Sequence, residues 1–208
     1  MEIAVVDYGA GNLRSVTRAL AAAGGTPRLV TGPDELVGAD LVVVPGVGAF
    51  APAVRRLQAA GMVEGLRAVV RAGIPVLGLC LGMQLLFDES DEGGALTEGL
   101  GILRGVVRRL PAGVKVPHMG WNTLEVARPD PLVASLPEPA YVYFVHSYAV
   151  QPADPAVVVA WSTHGVRFPA IVRAGTVIGF QFHPEKSSRL GARLLANVIA
   201  GLAARAAR

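Results

Sequence analysis

The sequence predicts one α/β domain spanning residues 1–208, with a mostly parallel central sheet, helices on both faces and an additional antiparallel β portion in the second half. Strand and helix signals alternate through the first half, which calls for crossover connections and hence parallel pairing. The second half instead carries short strand-like runs divided by Pro and Gly turns, the pattern of antiparallel strands. With 208 residues, 52% of them hydrophobic and 17% charged, the chain suffices for one substantial core. It contains no repeat, low-complexity tract or linker.

In order, Glu2–Asp7 reads as a strand, and Asn12–Ala23 as a helix with Leu13, Val16 and Leu20 at helical spacing. Thr26–Val30 is a short strand and Leu41–Pro45 a buried one. Val54–Arg71 is helical with a break near Gly61, Ile74–Leu79 is the next strand, and a helix opens at Leu81. Further strands are expected over Ile102–Leu110, Asn122–Ala127, Tyr141–Val150, Val157–Ser162, Ala170–Ala174 and Thr176–Phe182. Ala174-Gly175-Thr176 forms a hairpin tip, and a helix from Ser187 to Arg205 closes the chain.

Charge and composition narrow the function classes. The net charge is +3, lysine occurs only at Lys115 and Lys186, and the arginines are scattered. With 6% aromatic residues and no basic block, no nucleic-acid surface is expected. The apolar stretches around Leu41–Val47 and Ile74–Phe87 are too short or too glycine-broken to span a bilayer. A strand beginning at Glu2 leaves no room for a signal peptide, so the expectation is a soluble cytoplasmic protein.

Three segments carry chemistry. Cys80 is the single cysteine, which rules out an internal disulfide and a CxxC site. It sits in Gly78-Leu79-Cys80-Leu81-Gly82 between a strand and a helix, the pattern of a nucleophile elbow. The helix start favours a thiolate there. His183-Pro184-Glu185 places an imidazole and a carboxylate on one side of an extended segment, as base and orienter, or as a surface pair at a strand end. Pro45-Gly46-Val47-Gly48, between a buried strand and a helix, suits a turn whose amides face a developing oxyanion, with the amide of Leu81 as second donor. It also suits an ordinary βα turn; the Lys and Ser/Thr of a phosphate loop are absent.

Taken together, Gly78-Leu79-Cys80-Leu81-Gly82-Met83-Gln84 and His183-Pro184-Glu185 resemble the triad class of glutamine amidotransferases. Asp7-Tyr8-Gly9-Ala10-Gly11-Asn12-Leu13, Val116-Pro117-His118-Met119-Gly120-Trp121-Asn122, Tyr143-Phe144-Val145-His146-Ser147-Tyr148 and Gly179–Ser187 resemble one subfamily: the glutaminase subunit of imidazole glycerol phosphate synthase. The resemblance runs from Val6 through the last helix and departs at no triad position.

It implies Cys80 as nucleophile, His183 as acid and base, and Glu185 as orienter, with oxyanion donors from Val47, Gly48 and Leu81. It also implies glutamine-binding roles for Gly46, Gln84, His146, Ser147 and Tyr148. Ammonia is implied to pass to a TIM-barrel cyclase, the partner in a heterodimer, docked through Asn12, His118, Met119, Trp121, Tyr143 and Lys186. No cofactor and no metal are implied. A glutaminase feeding an anthranilate, guanylate or pyridoxal phosphate synthase shares these triad features. A cysteine hydrolase that does not use glutamine shares the elbow, and a silent regulatory subunit is a third alternative. Alanine at Gly46 or Gly48 is expected to alter activation of hydrolysis without unfolding the chain.

Overall fold

The computed structural model describes residues 1–206. The first half supplies β1 (Glu2–Val6), α1 (Leu13–Ala22), β2 (Thr26–Val30), β3 (Leu41–Val44), α2 (Phe50–Ala59), α3 (Met62–Arg71), β4 (Val76–Leu79) and the short α4 (Leu81–Leu85). The second half supplies β5 (Phe87–Ser90), β6 (Thr97–Glu98), β7 (Leu103–Arg109), β8 (His118–Val126), β9 (Ala140–His146), β10 (Tyr148–Pro152), β11 (Val158–His164), β12 (Val166–Ala174), β13 (Val177–Phe180) and α5 (Ser188–Ala206).

One nine-stranded sheet runs β2-β1-β3-β4-β13-β12-β11-β8-β9. Pairing is parallel from β2 through β13 and antiparallel from β13 to β9. A second sheet, β10-β7-β5-β6, packs over it.

The parallel strands are apolar throughout because both of their faces are covered. With a period of two, Ile3 and Val5, Leu41 and Val43, and Leu77 and Leu79 enter one core with Val16 and Leu20 of α1 and Leu194, Leu195 and Val198 of α5. The alternate residues Ala4 and Val6, Val42 and Val44, and Val76 enter the other core, with Phe50 and Leu57 of α2, Leu66 of α3 and the second sheet.

The predicted break in the helical region falls at Gly61, which adopts φ +65 between α2 and α3. Two segments differ from expectation. The apolar run after Leu81 does not continue as a helix: Phe87 pairs with Leu103 in the small sheet, and the Leu85 and Phe87 carbonyls accept the N–H groups of Leu100 and Gly101. The run expected as one strand over Tyr141–Val150 divides at Ser147, whose carbonyl accepts the Leu110 N–H. Its halves enter different sheets as β9 and β10. Ser147 is therefore the corner at which the two sheets separate. Among the described residues no helix is long and apolar enough to cross a membrane.

Candidate active site

Cys80 occupies the turn from β4 into α4 at φ +54 and ψ −110, a left-handed conformation that stores strain of about 1–3 kcal/mol in a residue other than glycine. The flanking glycines permit it. A Cβ on Gly78 would lie 2.6 Å from the Gly82 carbonyl oxygen, and one on Gly82 would overlap the Val44 carbonyl oxygen. The Cys80 N–H donates to Phe180 of β13 at 2.7 Å, which anchors the elbow to the sheet. Its thiol donates to the Val145 carbonyl at 3.7 Å.

His183 follows β13 in extended backbone, φ −98 and ψ 96, just before the turn Pro184–Lys186. Its N–H donates to the Tyr143 carbonyl at 3.0 Å. Ser187, fully buried, forms a bracket: its hydroxyl donates to the His183 carbonyl at 2.7 Å and accepts the Tyr143 N–H at 2.9 Å. The sequence reading assigned Ser187 no such role.

The imidazole Nδ1 donates to Glu185 Oε1 at 2.8 Å, with both side chains buried to 4% and 3% exposure. Nε2 has no hydrogen-bond partner. Burial favours the neutral ring, but Cys80 and Glu185 outweigh it and raise the pKa to about 10. This favours the protonated ring at neutral pH.

A cavity of about 240 Å³ opens over the elbow. It is lined by Val47, Gly48, Cys80, Leu81, Gln84 and Glu92, and by Pro117, Val145, His146, Ser147, Tyr148 and His183. Thus the expected nucleophile, base, oxyanion donors and four of the five expected glutamine-binding residues line one cavity. Glu185 stands behind His183 and does not line it. The N–H groups of Val47, Gly48 and Leu81 donate to no group among the described residues.

Gly46 departs from expectation. It is buried beneath the cavity, where a Cβ would meet the Tyr8 hydroxyl at 2.6 Å and the Gly82 nitrogen at 2.9 Å. Tyr8 donates to the Pro45 carbonyl at 2.9 Å. Burial, and then the nearby Cys80, push its phenol far above the ordinary range. Glu92 is a cavity residue the sequence reading did not select. Its Oε2 accepts the Phe50 N–H at the start of α2 at 2.7 Å, leaving the other oxygen free. The only signal was an acidic residue after β5.

The expected docking residues divide. Met119 and Trp121 are 62% and 53% exposed, and Trp121 meets Tyr143 edge to face with 6.0 Å between ring centres. Lys186 is exposed and its Nζ lies 5.9 Å from the Tyr143 ring centre. It forms no ion pair with Glu185, whose carboxylate is taken by His183. Asn12 is exposed and caps α1, its side-chain oxygen accepting the Ser15 N–H at 3.4 Å. His118 contradicts its expected place: it is 4% exposed and stacks between Phe144 and His164. The alternation of β8 turns its side chain inward while Met119 and Trp121 face out.

A family model described as class-I glutamine amidotransferase matches residues 4–201. The imidazole glycerol phosphate synthase subunit HisH of Moorella thermoacetica is 48% identical over 195 residues, covering 94% of this chain and 92% of that protein. The same subunit of Symbiobacterium thermophilum is 49% identical with the same coverage. A crystal structure of a glutamine amidotransferase superposes with a TM-score of 0.74 at 24% identity, covering 96% of this chain and 98% of that one. The structure of PurLQS from Thermotoga maritima gives 0.75 at 21% identity, covering 97% and 98%. At such identities these structures speak to the fold alone.

Proposed function

This chain belongs to the class-I glutamine amidotransferase family, as a HisH-type member, and we propose that it hydrolyses glutamine to glutamate and ammonia and delivers the ammonia to a cyclase subunit. The observation that carries this reading is the shared cavity in which the strained Cys80 faces the His183–Glu185 pair.

In the proposed reaction the Cys80 sulfur attacks the side-chain amide carbon of glutamine. The C–N bond then breaks as the His183 imidazolium gives its proton to the departing ammonia. The resulting glutamyl thioester is attacked by water, with neutral His183 accepting the proton and Cys80 leaving as thiolate. Glu185 holds the imidazole by Nδ1, so that Nε2 serves the chemistry. The unpartnered amides of Val47, Gly48 and Leu81 stabilise the oxyanion formed at each step. Gln84, Glu92, His146, Ser147 and Tyr148 surround the amino-acid end of the substrate, with the free oxygen of Glu92 suited to its ammonium.

Docking of a TIM-barrel cyclase, the heterodimer partner, is assigned to the exposed face built by Met119, Trp121, Tyr143 and Lys186. This face continues through Val145, which pairs with Met119, to the cavity wall. Ammonia released there starts its path beside the partner, and the cyclase uses it to form imidazole glycerol phosphate in histidine biosynthesis. The reading carries a cytoplasmic location.

The test is glutamate release by the purified chain, alone and with the cyclase and its nucleotide ligand, with Cys80→Ala as the blank. Stimulated release that vanishes in the variant supports the proposal. No glutamate from a folded complex overturns it and favours a regulatory subunit.

A further inference from the structure

Three histidines outside the triad gather beside the cavity. His118 on β8 lies directly across from His146 on β9, so their side chains share a face. His118 Nδ1 and His146 Nε2 are 2.9 Å apart, and His146 Nδ1 is 2.9 Å from the Tyr148 carbonyl oxygen. Asn122 Nδ2 lies 3.2 Å from His118 Nε2 and 2.8 Å from the Thr163 carbonyl oxygen. His164 stacks on His118 with 4.2 Å between ring centres and donates from Nε2 to the Lys115 carbonyl at 2.7 Å.

Only one direction of donation satisfies every atom. A carbonyl can only accept, so His146 Nδ1 carries hydrogen and donates to Tyr148. His146 Nε2 is then the acceptor and His118 Nδ1 the donor. His118 Nε2 accepts from the Asn122 amide, whose second hydrogen goes to Thr163 and whose oxygen accepts the Thr123 N–H at 2.8 Å. Burial holds both rings neutral: His118 is lowered to about 4 and His146 to about 3.

The chain ends where the substrate pocket begins. The Tyr148 carbonyl also accepts from Gln84 Nε2 at 2.8 Å, and Gln84 Nε2 donates in turn to Gln181 Oε1 at 3.0 Å. With both amide hydrogens committed, the Gln84 oxygen is fixed as an acceptor without a partner among the described residues, in the cavity wall. Gln181 Nε2 reaches the Cys80 sulfur at 3.9 Å. The segment Pro117-His118-Met119-Gly120-Trp121-Asn122 therefore serves two purposes on one strand, with Met119 and Trp121 outward and His118 and Asn122 inward.

We infer that Asn122 and His118 are positioning residues for glutamine: their one-way hydrogen-bond chain sets the His146 ring and the Tyr148 carbonyl, and through them the orientation of the Gln84 amide in the substrate pocket. The inference deepens the glutaminase reading and rests on it. Neither residue touches substrate; both act through His146 and Gln84.

The test uses the complex with the cyclase, comparing His118→Phe, His118→Gln and Asn122→Ala. Phenylalanine keeps the ring packing and deletes the chain. Glutamine restores a donor and an acceptor. His118→Phe and Asn122→Ala raise the KM for glutamine about tenfold, the weight of one oriented hydrogen bond, with a much smaller change in kcat, and His118→Gln recovers most of the loss. Unchanged KM in His118→Phe and Asn122→Ala, or equal defects in His118→Gln and His118→Phe, overturns the inference. A readout free of activity is the ring 15N spectrum at pH 7, in which both His118 and His146 are neutral with hydrogen on Nδ1. Hydrogen on Nε2 of either ring also overturns it. A native complex that releases no glutamate instead defeats the glutaminase reading, while the ring spectrum still reports on the chain.

Discussion

His183 and Glu185 are joined through Nδ1 and Oε1 at 2.8 Å, both side chains almost wholly buried, with the far nitrogen of the ring left unpaired. The proline between them, at the start of the turn Pro184–Lys186, keeps His183 extended. Two residues i and i+2 thus form the orienting half of the proposed triad, braced from β9 by the Tyr143 carbonyl, which accepts the His183 N–H. The proposed third member, Cys80, follows the adjoining strand of the parallel sheet: Phe180 of β13 pairs with Leu79 of β4.

The nearby Cys80 and this pair together make stability depend on alkali. The folded pKa of His183 is about 10, above its ordinary 6.5, so the folded state holds a proton that the unfolded chain releases. The stabilisation is complete below pH 6.5 and is lost as pH rises through about 10. Denaturant midpoints fall over that window, and they fall less in Glu185→Gln, where the ring also titrates at lower pH by NMR. Identical titration of His183 in both proteins removes Glu185 as a cause.

In acid the sign is opposite. Burial first, and then neighbouring histidines, lower His118 to about 4 and His146 to about 3 from 6.5. Between those values the unfolded chain takes up protons that the folded chain refuses, so stability is full above pH 6.5 and declines as pH falls toward 4 and then 3. Urea unfolding from pH 7 to 4 shows the decline, and His118→Phe, with one titrating ring fewer, shows a shallower one. An equal slope in the two proteins counts against neutral burial of His118.

The two glycines of the turn over the elbow behave differently. A methyl on Gly46 meets the Tyr8 hydroxyl at 2.6 Å and the elbow backbone at 2.9 Å, so Gly46→Ala destabilises by about 1–3 kcal/mol, as overpacking does. Gly48 has open space around it but φ +94, so Gly48→Ala costs about 1 kcal/mol of backbone strain and leaves the core intact. Thermal unfolding separates them. A lower melting temperature for Gly46→Ala leaves Gly48→Ala as the variant that isolates the turn's part in activity, whereas equal melting temperatures contradict the packing seen at Gly46.

Trp121 and Lys186 are exposed. Alanine at Trp121 changes the stability of the isolated chain by no more than about 0.5 kcal/mol. On the docking face proposed above, the same substitution is expected to weaken cyclase binding by about tenfold to a hundredfold. Calorimetric titration of the cyclase with Trp121→Ala and Lys186→Ala measures this. Unchanged affinity in both moves the docking face elsewhere.

The parallel half of the sheet, the elbow and the His-Pro-Glu segment were legible because each is dictated by residues contiguous in the chain. Four apolar residues in a row at Leu41–Val44 announce a strand covered on both faces. Gly-x-Cys-x-Gly announces a turn that larger residues cannot make, as the close approaches at Gly78 and Gly82 show. Proline sets the conformation of His183 directly.

Tertiary structure alone decided what depends on partners distant in sequence. His118 faces His146, 28 residues on; Tyr8 reaches Pro45 across 37; Glu92 caps Phe50 across 42. The division of Tyr141–Val150 at Ser147 follows from two sheets competing for one apolar run. Local pattern carries the period of a strand, but which face meets the interior is set by register against other strands. That is why His118 reads outward in the sequence beside Met119 and Trp121, and why pairing with β9 turns it inward against His146.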